Sequence, residues 1–321
     1  MKIVITGGAG FIGTKICNKL IKNHEVIVFD NFSEQIHGNS QPIKIDGVEY
    51  IIGDVTVKED WELIFSKNPE IIIHLASETG TGQSMDEIFK YVNTNIVGTS
   101  LLLEFLNKKK HKVKKLILSS TRAVYGNNEN SIENFKKEPK SVYGVTKLTQ
   151  ENLFNTSCPV PFTILRFQNV YGDGQSLNNP YTGIITIFSK LFQKNDQVTI
   201  FDNDLATRDF IYVDDVVEIT EICMVNKKTN NQTYDIGTGK NIKISEVANK
   251  LKNLLYSDSE IIVSNFHRKG DVLNAKADTK KIKNHIGWTY KTEIDDGLKK
   301  FTNWFNKKYK NSETKNSNKI G

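Results

Sequence analysis

Short apolar runs alternate with amphipathic stretches through the first half of this chain. "KIVIT" (2–6), "EVIVFD" (25–30), "EYIIG" (49–53), "EIIIHLA" (70–76), "KLILSS" (115–120) and "FTILRF" (162–167) read as strands. Between them, stretches such as "GTKICNKLIKN" (13–23) and "IVGTSLLLEFLN" (96–107) carry helical spacing. That alternation predicts an α/β fold, a parallel sheet covered by helices on both faces. From about residue 177 the rhythm changes. A loop and helix ("NNPYTGIITIFSKLFQK") lead to the short strand "QVTIF", then to strand and helix pieces in "DFIYVDDVVEI" and "TYDIG". The last part, with "ISEVANKLKNLL" and "IDDGLKKFTNWFNKKY", is mainly helical. The expected layout is a nucleotide-binding domain over 1–176, with 208–240 returning to it. A smaller mixed lobe over 177–207 and 241–308 follows, then a disordered basic tail at 309–321.

Composition changes this picture little. Apolar residues make up 38% of the 321 and charged residues 25%, enough to bury an ordinary core. The net charge of +6 raises the question of nucleic acid, but much of the excess sits in "NKKKHKVKK" (107–115) and in the last sixteen residues. The first reads as a solvated helix end and the second as a frayed terminus, without interleaved aromatics, so no nucleic-acid partner is expected. Cys17, Cys158 and Cys223 are widely spaced and imply no disulfide framework. The six histidines show no metal-ligand spacing, and no metal is expected. No run approaches a membrane span or a signal segment, so a cytoplasmic protein is expected.

Chemistry enters at "TGGAGFIG" (6–13), between the first strand and the first helix. Glycines at 7, 10 and 13 permit a sharp turn, close approach to a pyrophosphate and tight packing of helix on strand. The helix N-terminus then offers free N–H groups to phosphates. Gly7, Gly10, Phe11, Ile12 and Gly13 are therefore candidate dinucleotide contacts. Asp30 ends the second strand at the distance expected of a carboxylate that binds the adenosine ribose. It would repel a 2′-phosphate, and "DNFSEQ" supplies no Arg or Lys, which favours NAD over NADP.

"SVYGVTK" places Tyr143 and Lys147 four residues apart, one turn along a helical face. A phenol is a poor base near neutrality, but a neighbouring ammonium and a cationic nicotinamide would lower its pKa. Such a phenolate could take the proton of a sugar hydroxyl while hydride leaves the same carbon.

With these motifs in order, the chain resembles the extended short-chain dehydrogenase/reductase family, within it the NAD-dependent sugar-nucleotide epimerases and dehydratases. The likeness runs from about residue 2 to about residue 290. It rests on "TGGAGFIG", "FDN" (29–31), "GDV" (53–55), "HLA" (74–76), "NTNIVGT" (93–99), "SSTRAVYG" (119–126), "YGVTK", "LRFQNVYG" (165–172), "RDFIYVDDV" (208–216) and "RKGD" (268–271). The resemblance implies a Rossmann-type doubly wound sheet with a substrate lobe. It implies that Asn31 joins Asp30 at the cofactor, that Asp54 and Val55 hold the adenine, and that Leu75, Ala76 and Asn95 line the cofactor. Lys147 would also bind the nicotinamide ribose. Thr121 falls where the family places a catalytic Ser or Thr, whereas Ser119 and Ser120 read as the end of a strand. Asn169, Arg208 and Arg268 would hold a substrate diphosphate, as guanidinium forks suit phosphate oxygens.

Two further segments bear on the reaction. The family's 4,6-dehydratases carry an Asp-Glu pair after the catalytic hydroxyl. Here the pair is Arg122 and Ala123, which points away from dehydration. "SETGTGQSM" (77–85) should form part of the sugar pocket, with Thr79 and Ser84 as candidate hydroxyl contacts. Together with "RAVYG" and "GQSLNNPYTGI" (174–184), it looks most like the dTDP-L-rhamnose 4-epimerase branch. The expectation is a nucleoside-diphosphate-sugar epimerase acting at C4 through a 4-keto intermediate. The alternatives are an NAD(P)-dependent 4-ketosugar reductase or dehydrogenase and, behind it, a 4,6-dehydratase or a non-catalytic NAD-binding protein. By resemblance a homodimer is expected, through "IVGTSLLLEFL" and the helix carrying Tyr143, although "LLLEFL" fits plain core equally well.

Overall fold

Seven parallel strands form the central sheet, and their apolar side chains alternate between two separate cores. The computed structural model describes residues 1–38, 44–108, 110–127, 137–177, 179–267 and 270–317. The six strands read from the sequence are Lys2–Thr6 (β1), Glu25–Asp30 (β2), Glu49–Ile52 (β3), Ile71–His74 (β4), Lys115–Thr121 (β5) and Phe162–Phe167 (β6). Gln232–Ile236 adds the seventh, and the spatial order is 232–236, β6, β5, β4, β1, β2, β3. β1 pairs with both β2 and β4, so successive crossovers change direction beside it. In open sheets of this kind, ligands bind in the crevice at the carboxyl ends of the strands around such a reversal.

The consecutive apolar residues of each strand are explained by covering on both sides. Ile3, Ile5, Val26, Val28, Ile71 and Ile73 pack on one face, with Ile16 and Cys17 of helix α1 (Phe11–Leu20) and with Val216 and Ile219 of the helix Val213–Val225. Val4, Ile27, Ile72, Leu116 and Leu118 pack on the other, against Trp61, Leu102, Leu103 and Phe105. The "LLLEFL" stretch is therefore largely core: Leu102, Leu103, Phe105 and Leu106 are all buried.

A third core joins the helices Ile184–Gln193 and Ile244–Leu255 to the last helix, through Ile185, Phe188, Val247, Leu251, Phe301 and Phe305. The short strands Val198–Ile200 and Ile261–Val263 pair within this lobe. The chain passes between lobe and sheet more than once. Asn169–Tyr171 pairs in parallel with Phe210–Tyr212, and 232–236 then returns to the main sheet beside β6. The last helix runs Ile294–Ser317, so the backbone stays helical beyond 309, where a disordered tail is expected. Among the described residues, no helix is long and apolar enough to cross a membrane.

Asp209 sits at one crossing. Its buried carboxylate accepts from Thr238 N (2.8 Å), Thr238 Oγ1 (2.7 Å), Gly239 N (2.8 Å) and Ala277 N (3.0 Å). Burial pushes its pKa up, and these four bonds work against that shift. Asp209→Ala would strand the donors in a dry site, so we expect a loss of about 2–5 kcal/mol in unfolding free energy by urea denaturation.

Candidate active site

The glycine turn is tight because neighbouring backbone leaves no room for side chains. Gly7 has φ of +67°, and a Cβ there would lie 2.8 Å from Ala76 N. A Cβ at Gly13 would lie 2.5 Å from Gly7 O, so α1 starts directly against the turn. Gly10 precedes α1 without a side-chain cap, which leaves the first-turn N–H groups free for an anion. Gly7, Gly10, Phe11, Ile12 and Gly13 border one cavity of about 440 Å³. Asp30 and Asn31 enter the same cavity from the end of β2, as do Leu75 and Ala76 from the end of β4. The Asp30 carboxylate is oriented by Ala9 N (3.0 Å) and Phe32 N (2.9 Å).

A buried thread of side chains fixes the β4 end. Ala76 N donates to Thr6 Oγ1 (3.1 Å), which lies 2.8 Å from His74 Nδ1, and His74 Nε2 lies 3.1 Å from Thr99 Oγ1. Burial, with Lys147 nearby, pushes His74 down to about 3, so the ring is neutral and structural.

Two expected cofactor contacts are placed differently. Val55 borders the cavity, but Asp54 does not. It braces Asn31 instead, accepting from Asn31 Nδ2 (2.9 Å) and from Thr56 N (2.8 Å). Burial raises its pKa, but these hydrogen bonds outweigh it and hold the carboxyl below its usual value. Asn95 is fully buried behind the wall, in the widened π-type turn Val92–Val97. Its Oδ1 accepts from Glu78 N (2.8 Å) and Ser77 Oγ (2.9 Å), while its Nδ2 donates to Thr146 Oγ1 (2.9 Å). Asn95 therefore holds the loop after β4 against the Tyr143 helix.

At the other end of the cavity Thr121, Tyr143 and Lys147 converge. β5 delivers Thr121 as its last residue. The helix Val142–Ser157 begins at Ser141, whose Oγ accepts from Gly144 N (3.1 Å), so Tyr143 lies in its first turn and Lys147 one turn on. The Thr121 hydroxyl stands close enough to the Tyr143 phenol to favour its ionised form. The protein's own groups do not lower that phenol as expected. Burial pushes it up to about 12, against the pull of Thr121. Lys147 is pushed down to about 7, again by burial, with Glu151 opposing.

Of the candidate substrate residues, Thr79 and Asn169 border the cavity. Ser84 does not; its buried hydroxyl donates to Thr81 O (2.7 Å) and supports the loop. Arg208 also lies outside the lining, with Nη2 2.5 Å from Asp271 Oδ1 and Nη1 on Thr207 O and Leu273 O. Arg268 lies outside the described residues.

The sequence reading missed Gln35, Glu78, Gln175 and Asn179, which also border the cavity. They belong to loops that meet only in the fold. Gln35 Nε2 reaches Gln83 Oε1 (3.0 Å) and Asn179 Oδ1 (3.4 Å), and Ser176 Oγ donates to Ile36 O (2.8 Å). Burial pushes the Glu78 carboxyl up, with Lys90 Nζ 3.4 Å away opposing it. Glu78 lies in the segment 77–85 expected at the sugar pocket, and Gln175 and Asn179 in 174–184, but no local pattern singles out these side chains.

The model of the NAD dependent epimerase/dehydratase family matches residues 3–237. The chain belongs to that family. It is 33% identical to a dTDP-L-rhamnose 4-epimerase of Burkholderia thailandensis, with 94% of each chain covered. It is also 33% identical to a putative UDP-glucose 4-epimerase of Methanocaldococcus jannaschii, over 94% of this chain and 97% of the relative. Among solved structures, UDP-glucose 4-epimerase of Thermotoga maritima with UDP-glucose matches at a TM-score of 0.87 and 32% identity. That match covers 96% of this chain and all of the other. The Thermus thermophilus UDP-glucose 4-epimerase in complex with NAD matches at 0.84 and 27%, over 95% and 99% of the two chains.

The cavity fits the dinucleotide of this epimerase/dehydratase family. A Cβ at Gly7 or Gly13 would fill its glycine cradle, α1 offers uncapped N–H groups, and the Asp30 carboxylate borders the same cavity. Burial of Lys147 yields a prediction. Its folded pKa lies below the unfolded value of 10.5, so the unfolded chain binds more protons between about pH 7 and 10.5. In that window stability attributable to this group rises with pH; below it the charged amine carries its full cost. Lys147→Met should therefore be more stable than wild type at pH 6, by roughly 2–4 kcal/mol. The gap measured by chemical denaturation should shrink toward pH 10.

Proposed function

We propose that this protein is an NAD-dependent nucleoside-diphosphate-sugar epimerase that inverts C4 through a transient 4-keto sugar. The supporting observation is the convergence of Thr121, Tyr143 and Lys147 on the cavity that the glycine turn opens. NAD bound there supplies a hydride acceptor that ends the cycle unchanged, and a positive charge beside the phenol. Tyr143 takes the proton of the C4 hydroxyl, with Thr121 holding the sugar oxygen and relaying the proton. Lys147 binds the nicotinamide ribose and, as ammonium, favours the phenolate. Residues 7–13, Asp30, Asn31, Leu75 and Ala76 hold the dinucleotide, and Thr79 and Asn169 contact the substrate.

Epimerisation is favoured over dehydration by the pair of residues after Thr121. Arg122 and Ala123 do not border the cavity, and the Arg122 guanidinium is engaged inside the protein, donating to Gly126 O (3.0 Å). No second acid and base stand there for elimination of water. The likeness to a dTDP-L-rhamnose 4-epimerase and to UDP-glucose 4-epimerases supports the choice of C4, and a 6-deoxyhexose of dTDP is the first substrate to try.

Incubation with dTDP-, UDP-, CDP- and GDP-sugars, followed by proton NMR of C4, tests the reading. Interconversion of C4 epimers without net NADH change is expected. Stoichiometric NADH consumption would replace it with a 4-ketosugar reductase. Tyr143→Phe should lose about 10²–10⁴-fold in turnover while still binding cofactor, and full turnover by that variant would exclude the mechanism.

The homodimer is also a proposal. Phe89 (80% exposed), Ile88, Val92, Val97 and Val145 are exposed apolar residues on adjoining segments. They offer an apolar face beside the Tyr143 helix, in place of the buried "LLLEFL". Phe89→Asp should shift the protein from dimer to monomer in sedimentation analysis with the fold intact by circular dichroism.

A further inference from the structure

Ser120 and Tyr125 flank Thr121, and both hydrogen-bond into one buried cluster. Ser120 borders the cavity, but its hydroxyl is turned inward and donates to Glu151 Oε1 at 2.6 Å. Tyr125 donates to Asp235 Oδ1 (2.8 Å) and accepts from Arg166 Nη1 (2.5 Å). Arg166 grips Glu151 through two parallel bonds, Nε to Oε1 at 2.8 Å and Nη2 to Oε2 at 2.7 Å. Solvent is nearly absent: Glu151 and Tyr125 are 0% exposed, Asp235 1%, Arg166 2% and Ser120 3%.

Strand register explains the meeting. Ser120 lies directly opposite Arg166, and Arg166 opposite Asp235, so the three form a row across β5, β6 and the strand 232–236. Glu151 descends onto this row from the helix of Tyr143, one turn beyond Lys147 and two beyond Tyr143. Around it stand Arg166, Lys147 and, 3.7 Å from Oε2, Lys137, with Arg122 near Asp235 on the far side.

We infer that Ser120, Tyr125, Glu151 and Arg166 are positioning residues that set the separation of the Thr121 hydroxyl from the Tyr143 phenol. A strand end is the loosest part of a sheet, yet Thr121 must meet a phenol carried by a different element. The residue before it is tied to the helix through Glu151, and the turn after it is tied to the same hub through Tyr125 and Arg166. Stability alone explains this poorly. Buried ion pairs replaced by apolar groups of similar volume are often neutral or stabilising, so five sealed polar groups are a costly way to hold a core together. A placement of about 1 Å matters far more to a proton transfer than to packing, being worth on the order of 10²-fold in rate.

This inference rests on Thr121 and Tyr143 being the reacting pair, and the test separates the two. Ser120→Ala makes the smallest cut. With an NDP-sugar that the wild type epimerises, kcat should fall by about 10- to 100-fold. KM should stay within about twofold and the melting temperature close to wild type. Ser120→Thr, which keeps the hydroxyl, should restore most of the rate. Wild-type kcat in folded Ser120→Ala, or a loss carried by KM alone, would overturn the proposal. Glu151→Gln should lose kcat similarly with a larger drop in melting temperature; a folded Glu151→Gln with wild-type kcat would also overturn it. If Glu151→Gln does not fold, Ser120→Ala decides alone. A substrate-free readout is the Cζ resonance of Tyr143 in 13C-tyrosine-labelled protein, assigned with Tyr143→Phe. It should shift in Ser120→Ala in the same direction as in Thr121→Val, and an unmoved resonance sinks the positioning role. Wild-type protein that turns over no sugar sinks the functional reading only, and the resonance still decides this one.

Discussion

The close approach of the hydroxyl that ends β5 to the phenol in the first turn of a helix sets the demands on the rest of the structure. Its two partners are separated by twenty-two residues and belong to elements with different periods. They meet only if the sheet holds its register and the helix its height above the sheet. The surrounding burial removes competing water from the pair, and the same burial disfavours every charge the chemistry needs. Tyr143 is pushed up and Lys147 down, so near pH 7 the protein alone keeps the phenol protonated and leaves the amine close to half charged. A cation placed beside the phenol reverses part of that penalty. The site is poised for its cofactor at a cost in stability, as is common at functional centres.

The architecture accounts for where this tension is tolerated. In the middle of the sheet each strand is sealed by apolar neighbours on both faces, and polar groups are few. At the carboxyl ends the strands part around β1, and backbone that has left the ladder must be satisfied by other means. Side chains do this work. Thr6 and His74 hold the end of β4, Asn95 holds the loop beyond it, and Ser120, Glu151 and Arg166 hold the end of β5. Each is buried and bonded, and all but Ser120, which itself borders the cavity, stand one layer behind a residue that does. Loops after β2, β4 and the strand 169–171 then meet across the opening through Gln35, Gln83 and Asn179. The walls of the cavity are thus shared between the two lobes.

Legibility differed between these layers for physical reasons. Gly7 and Gly13 announce themselves because only glycine fits such close backbone approach, and Gly10 completes their spacing. Tyr143 and Lys147 stand four apart because helical geometry demands it. The apolar runs betray the strands because two-sided covering leaves no polar position. Asn95 and Arg208 lie in recognisable segments too, yet their side chains bond protein atoms and stand back from the cavity. Ser84 is similar, a hydroxyl in the right loop turned to a backbone carbonyl. A motif places a residue to within its segment, and the direction of the side chain depends on packing from elsewhere. Ser120 shows the same limit in reverse: it reads as strand-end filler and proves bonded to a buried carboxylate thirty-one residues on.

By itself, the sequence determined the parallel sheet, its glycine turn, the Tyr143–Lys147 spacing and the family to which they belong. Each of these is written in local periods or in residues with unusual steric freedom. Only the tertiary structure decided that Thr121 meets Tyr143 at one cavity, that "LLLEFL" is core while Phe89 is exposed, and that Gln35, Glu78 and Asn179 share its wall. Those outcomes depend on cross-strand register and on burial. Both arise from contacts between residues tens to hundreds of positions apart, for which the chain carries no local mark.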